Sequence, residues 1–139
     1  MRQAQSQFEV ATTGQGLYEI TDDVAAALRD SGIRSGLATV FCRHTSASLT
    51  IQENADPDVR TDLTGFFARL APEGMDWLAH TIEGPDDMPA HIKAALTDVS
   101  LTIPVANGAL ALGTWQGIYL FEHRARPHRR RVVVHVIGG

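Results

Sequence analysis

The chain has 139 residues, 44 % hydrophobic and 20 % charged, which is ordinary globular usage and excludes a disordered chain. Lys and Arg number 12 against 16 Asp and Glu, a net charge of −4, so neither nucleic acid nor an anionic membrane is an expected partner. A single cysteine, Cys42, excludes an internal disulfide, and the length predicts one domain over residues 1–139.

The N-terminal segment has no apolar run of the signal-peptide kind, so a soluble, cytoplasmic protein is expected. Phe8–Val10 and Leu17–Ile20 flank a Thr12-Thr13-Gly14-Gln15-Gly16 turn and read as a first hairpin. Thr21 is placed to cap a helix over Asp22–Asp30, with Gly32 as its stop. Leu37–Arg43 is a strand apolar enough to be buried on both faces, and Ser48–Gln52 is a second strand. Asp56-Pro57 starts a helix, with Asp as N-cap and Pro at the first helical position. Val59, Leu63, Phe66, Phe67 and Leu70 then give that helix one core face. Pro89 opens another helix, ending at Ala95 or Thr97.

Val99 to Phe121 carries no charge and is long enough to cross a bilayer. Pro104, Gly113 and Gly117 break it, however, and Asn107-Gly108 between apolar runs is a strong hairpin signal. It reads as strands at Val99–Val105, Ala109–Leu112 and Gly117–His123, with a last strand at Arg131–Ile137. Seven or eight strands and three short helices predict an α+β fold, a two-layer β-sandwich of mainly antiparallel strands.

Three histidines stand out. His44 ends a strand, His80 precedes a Gly-Pro loop, and His91 lies in the first turn of the Pro89 helix. Imidazoles from three such places are able to share a divalent metal with one position open, or to serve as acid and base; separate surface or capping histidines would look the same. Thr45, Ser46 and Ser48 follow His44, a nest for a phosphate or carboxylate or simply a polar turn. Asn54 adjoins three carboxylates of which the cap needs only Asp56. Cys42 shares a strand face with His44, as a nucleophile pair would, but also with Ala38 and Val40, as a core residue would. Trp115 and Gln116 sit between glycines, where they either line a pocket or pack in a bulge. Arg124, Arg126, Arg129, Arg130 and Arg131 offer an anion site, a solvated tip or a subunit contact. No Gly-rich phosphate loop is present, so no nucleotide cofactor is expected.

In order, the stretches His44–Leu63 (HTSASLTIQENADPDVRTDL), Glu83–Leu96 (EGPDDMPAHIKAAL), Leu101–Val105 (LTIPV), Leu112–Ile118 (LGTWQGI) and Arg130–Val134 (RRVVV) resemble the YjbQ family, often labelled secondary thiamine-phosphate synthase enzymes. Pro85 and Asp86 follow the bacterial branch, where other members have Asn after the Gly. The resemblance implies a sandwich protomer, a homotrimer packed through its sheets, and a pocket near His44, His80 and His91. It implies an enzyme that joins a pyrimidine diphosphate to a thiazole phosphate and releases pyrophosphate. In that reading His44, His80 and His91 hold Zn²⁺ or Mg²⁺ or bind the diphosphate. Thr45, Ser46 and Asn54 orient oxygens of a small phosphorylated ligand, and Trp115 and Gln116 line the pocket. The alternatives are a non-catalytic metal- or anion-binding trimer and a metal-assisted hydrolase.

Overall fold

The computed structural model describes all 139 residues. Two antiparallel sheets face each other. The larger takes β1 (Arg2–Thr12), β3 (Gly36–Cys42), β5 (Ser100–Ala106), β6 (Ala109–Leu110) and β8 (His128–Gly138), in the order β1-β8-β3-β5-β6. The smaller takes β2 (Gly16–Glu19), β4 (Ala47–Glu53) and β7 (Gln116–Glu122), in the order β2-β7-β4. The α+β sandwich expected from the sequence is therefore what forms.

Strand alternation explains the core. Ala38, Val40 and Cys42 of β3 and Val132, Val134 and Val136 of β8 point inward, against Leu49, Ile118 and Leu120 of the smaller sheet. Helix α1 (Thr21–Ser31) adds Val24 and Leu28. The Asn107-Gly108 turn joins β5 to β6 with φ of 52° and 74°, the pair of positive values that a tight type I′ hairpin turn needs. No helix is long and apolar enough to cross a membrane.

Four local expectations change. The first hairpin does not form: β1 pairs with β8 and β2 with β7, so residues 13–15 carry the chain from one sheet to the other. Strand β3 is buried on one face only, and Leu37 and Phe41 stand about two-fifths exposed on the other. Thr21 does not cap α1; it is the first helical residue, and its hydroxyl accepts Ile118 N–H and donates to Glu19. Helix α2 (Pro57–Leu70) has the Asp56 cap, whose carboxylate accepts Asp58 N–H at 2.9 Å, but none of its residues is buried. It lies on the outer side of the smaller sheet, with Phe67 edge-on to Phe121 and Arg60 over Tyr119, and leaves Phe66 and Leu70 on the surface.

The chain changes sheets six times, and three of these crossings, residues 13–15, residues 43–46 between β3 and β4, and residues 123–127 between β7 and β8, lie together. Those three fall at one end of the sandwich, because Thr12 pairs with His128 and Gly16 and Ala47 both pair with Glu122. Helix α3 (Asp87–Leu96) packs against β4 at that end.

Candidate metal centre at the sheet crossing

The inner floor of this corner is an ion pair. Arg130 Nε donates to Glu122 Oε1 at 2.7 Å, and Thr12 and the Arg124 N–H also donate to that carboxylate. Burial alone would push the Glu122 carboxyl up; Arg130 and then Thr12 outweigh it and hold the group below its ordinary value. Arg130 reaches on to the carbonyl and hydroxyl of Ser46. Ser46 is thus part of the buried network, not a ligand group facing outward.

Above that floor, α3 begins at Asp87, two residues before Pro89. Proline needs no N–H in the first turn, so it fits at the third position as well as the first. This places His91 one full turn after Asp87 rather than in the first turn. His91 Nε2 lies 3.0 Å from Asp87 Oδ2, and His80 Nε2 lies 2.7 Å from the same oxygen. The three residues each offer one ligand atom, all within 4.8 Å of one another. His91 Nδ1 lies 2.9 Å from the Thr45 carbonyl. A carbonyl only accepts, so Nδ1 carries the hydrogen and the remaining ring nitrogen, Nε2, faces a carboxylate. That contact is repulsive unless a second proton or a cation sits on Nε2. A ring N–H held by a carbonyl, with the other nitrogen aimed at a carboxylate, is the support a ligating histidine has in metal sites.

Asp87 is almost fully enclosed. Its Oδ1 accepts Arg124 Nη1 at 2.8 Å. Burial pushes its carboxyl up, but His80, His91 and Arg124 together hold it below the ordinary carboxylate value.

His44 stands beside this group and is not part of it. Its Nε2 accepts the Arg131 N–H at 2.7 Å, which fixes the hydrogen on Nδ1 and leaves neither nitrogen free to ligate. Burial, and then the Arg130 charge, lower its pKa and keep the ring neutral. His44 and Thr45 line a cavity of about 290 Å³ with Ala47, His91, Ala94, Ala95 and Val99. At His44, Thr45 and Val99 it meets a second hollow of about 350 Å³ lined by Phe41, Cys42 and Arg43. Cys42 itself is a core residue whose thiol is pushed up by burial.

The other expected ligand residues are elsewhere. Asn54 donates to Glu19, Gln116 accepts the Gly113 N–H, and Trp115 is 62 % exposed. They lie at the opposite end of β4, where Glu53 pairs with Gln116, roughly 20 Å along the strand from Ala47. The structure therefore brings together His80, His91, Thr45 and His44, and separates Asn54, Trp115 and Gln116 from them. Sequence reasoning missed Asp87, although the Asp87–His91 spacing of four is a visible helical signal. It singled out Arg124 only as one of an arginine cluster, and nothing local pointed to its carboxylate partners Asp86 and Asp87.

The two antiparallel sheets with three helices define the class, an α+β sandwich protein. The chain belongs to the UPF0047 YjbQ-like family, whose model matches residues 6–139. It is 57 % identical over 137 residues to a UPF0047 protein of Synechocystis, covering 99 % of this chain and 93 % of the relative. It is 40 % identical over 135 residues to the UPF0047 protein YjbQ of Escherichia coli, covering 96 % and 97 %. A crystal structure of a YjbQ/UPF0047 family protein from Clostridium acetobutylicum superposes with a TM-score of 0.87 at 41 % identity, covering 95 % of this chain and 99 % of that one.

Proposed function

We propose that His80, Asp87 and His91 bind a divalent transition ion, and that the cavity beside them receives a small phosphorylated molecule. The observation that carries this is the His91 ring, held through Nδ1 by the Thr45 carbonyl while Nε2 faces Asp87 Oδ2. Two imidazoles and one carboxylate suit Zn²⁺ and its neighbours better than Mg²⁺, which prefers oxygen ligands. Such an ion would neutralise charge on a bound phosphate. The protein's own groups bind and orient: the Nδ1–H of His44 and the Thr45 hydroxyl are donors beside the cavity, Arg43 is a cation at its margin, and Ala94, Ala95 and Val99 are an apolar wall.

The reaction implied by the family resemblance fits these parts. A thiazole nitrogen forms a bond to the methylene carbon of a pyrimidine diphosphate, the carbon–oxygen bond to the diphosphate breaks, and pyrophosphate leaves. Pyrophosphate release from the two precursors together, with Zn²⁺, tests this. The synthase reading expects product in the wild type and at least about 10²-fold less in His44→Ala, the loss of a positioned donor. Phosphate released from either precursor alone would favour a hydrolase, and binding without turnover a non-catalytic module.

The same reading includes a homotrimer. Its support is the outer face of the larger sheet, where Leu37, Phe41, Val133 and Ile137 form adjacent rows with no helix over them. Phe41 and Arg43 belong both to that face and to the hollow beside His44.

A further inference from the structure

Arg124 is the one cation that touches the histidine–carboxylate group, and it comes from a different part of the chain. Nη1 donates to Asp87 Oδ1 at 2.8 Å, Nε to Asp86 Oδ2 at 2.9 Å, and Nη2 to the Glu83 carbonyl at 3.0 Å. Asp86 is in turn fixed by the Ala125 N–H at 2.8 Å, and the Arg124 N–H is fixed by Glu122 at 3.1 Å. The guanidinium is thus held by Asp86 and by the Glu83 carbonyl as well as reaching Asp87. Its side chain is 15 % exposed, and those of Asp86 and Asp87 are 10 % and 6 % exposed.

A carboxylate free to turn about its Cβ–Cγ bond would offer either oxygen to either histidine. Here the fork takes Oδ1, so Oδ2 alone is left for both imidazoles. Asp86 has no capping bond of its own at the start of α3, which is where an aspartate ordinarily bonds. Its carboxylate is given to Arg124 and Ala125 instead. We propose that Arg124, anchored by Asp86, is the positioning residue that turns Asp87 so that one oxygen serves both His80 and His91. This gives Asp86 a role as an anchor and separates Arg124 from the exposed Arg126, Arg129 and Arg131 that follow it. The inference rests on the metal reading only for its effect on affinity. Its geometric content stands without an ion.

The test uses Arg124→Lys and Arg124→Gln in the full chain, each checked for folding by thermal melt. The first measurement is a crystal structure of each metal-free variant. The account expects Asp87 to have left at least one imidazole. Asp87 in its present position in both variants would overturn the proposal, whatever the metal does. The second measurement is competition for Zn²⁺ against a chromophoric chelator, with the Co²⁺ absorption bands as a record of ligand geometry. A weakening of about 10- to 100-fold is expected for Arg124→Gln, the usual effect of losing a group that orients a ligand, with partial recovery in Arg124→Lys. Wild-type affinity and bands in both would also overturn it. If the wild type takes up no ion, the metal reading fails by itself and the Asp87 geometry decides the role of Arg124. Should Arg124→Gln not fold, Arg124→Lys decides on the same two measurements.

Discussion

His123 shows how far one buried side chain can set the response to acid. It is 1 % exposed, Nε2 meets the Ser48 hydroxyl at 2.8 Å, and Nδ1 has no partner. Burial, with the Lys93 charge second, lowers its pKa from 6.5 to about 3. A histidine with a depressed folded value favours the folded state above its unfolded pKa, and that stability is lost as pH falls from 6.5 toward 3. Over that window the unfolded chain takes up a proton that the folded chain refuses. Moving from pH 7 to pH 5 should therefore remove about 2 kcal/mol through this residue alone. Glu122, also depressed, adds to the loss only below its ordinary range. Urea unfolding at the two pH values checks this: His123→Phe should show a distinctly flatter dependence than the wild type. Equal slopes would mean that other groups carry the acid response.

At the scale of elements, the strands were legible wherever alternation and turn residues agreed. Asn107-Gly108 set its hairpin because both residues tolerate positive φ, a purely local requirement. What local pattern could not supply was partnership. The segment Phe8–Val10 reads as a strand from its residues, but its partner lies in Arg130–Val132, at the far end of the chain. The candidate site divides in the same way. His80 and His91 are visible as residues, but Pro89 reads as the helix start, whereas α3 begins at Asp87. A helix beginning at Asp87 puts the two ligating types one turn apart. His44 was visible too, but its exclusion from the metal group depends on the Arg131 N–H, which only the β3–β8 pairing brings near. Capping was the most local feature and survives in α2. Asp56→Ala should cost about 1 kcal/mol through loss of the bond to Asp58 N–H, read by chemical denaturation. A loss of activity with unchanged stability would assign Asp56 to the site instead.

For the whole molecule, two substitutions separate folding from assembly. Leu120 is fully enclosed between the sheets, so Leu120→Asp should abolish the fold, since an unpaired buried carboxylate costs several kcal/mol. Phe41 is 42 % exposed on the outer face of the larger sheet. Phe41→Glu should leave the protomer folded and, if the trimer packs on this face, shift sedimentation from about three times 15.1 kDa toward one. A wild-type protein that sediments as a folded monomer at micromolar concentration would contradict the assembly.

The corner where the chain passes three times between sheets gathers these scales together. The Glu122–Arg130 pair fixes its floor, Arg124 spans from there to Asp87, and α3 brings His91 against the Thr45 carbonyl. The claim at the centre is that this arrangement binds a divalent ion. Equilibrium dialysis of metal-stripped, untagged protein against Zn²⁺, followed by elemental analysis, tests it most directly. The account predicts about one tightly held ion per chain in the wild type, its loss in His80→Ala and His91→Ala, and its retention in His44→Ala, with all three variants folded. No bound ion in the wild type, or the same ion in all three variants, would contradict it.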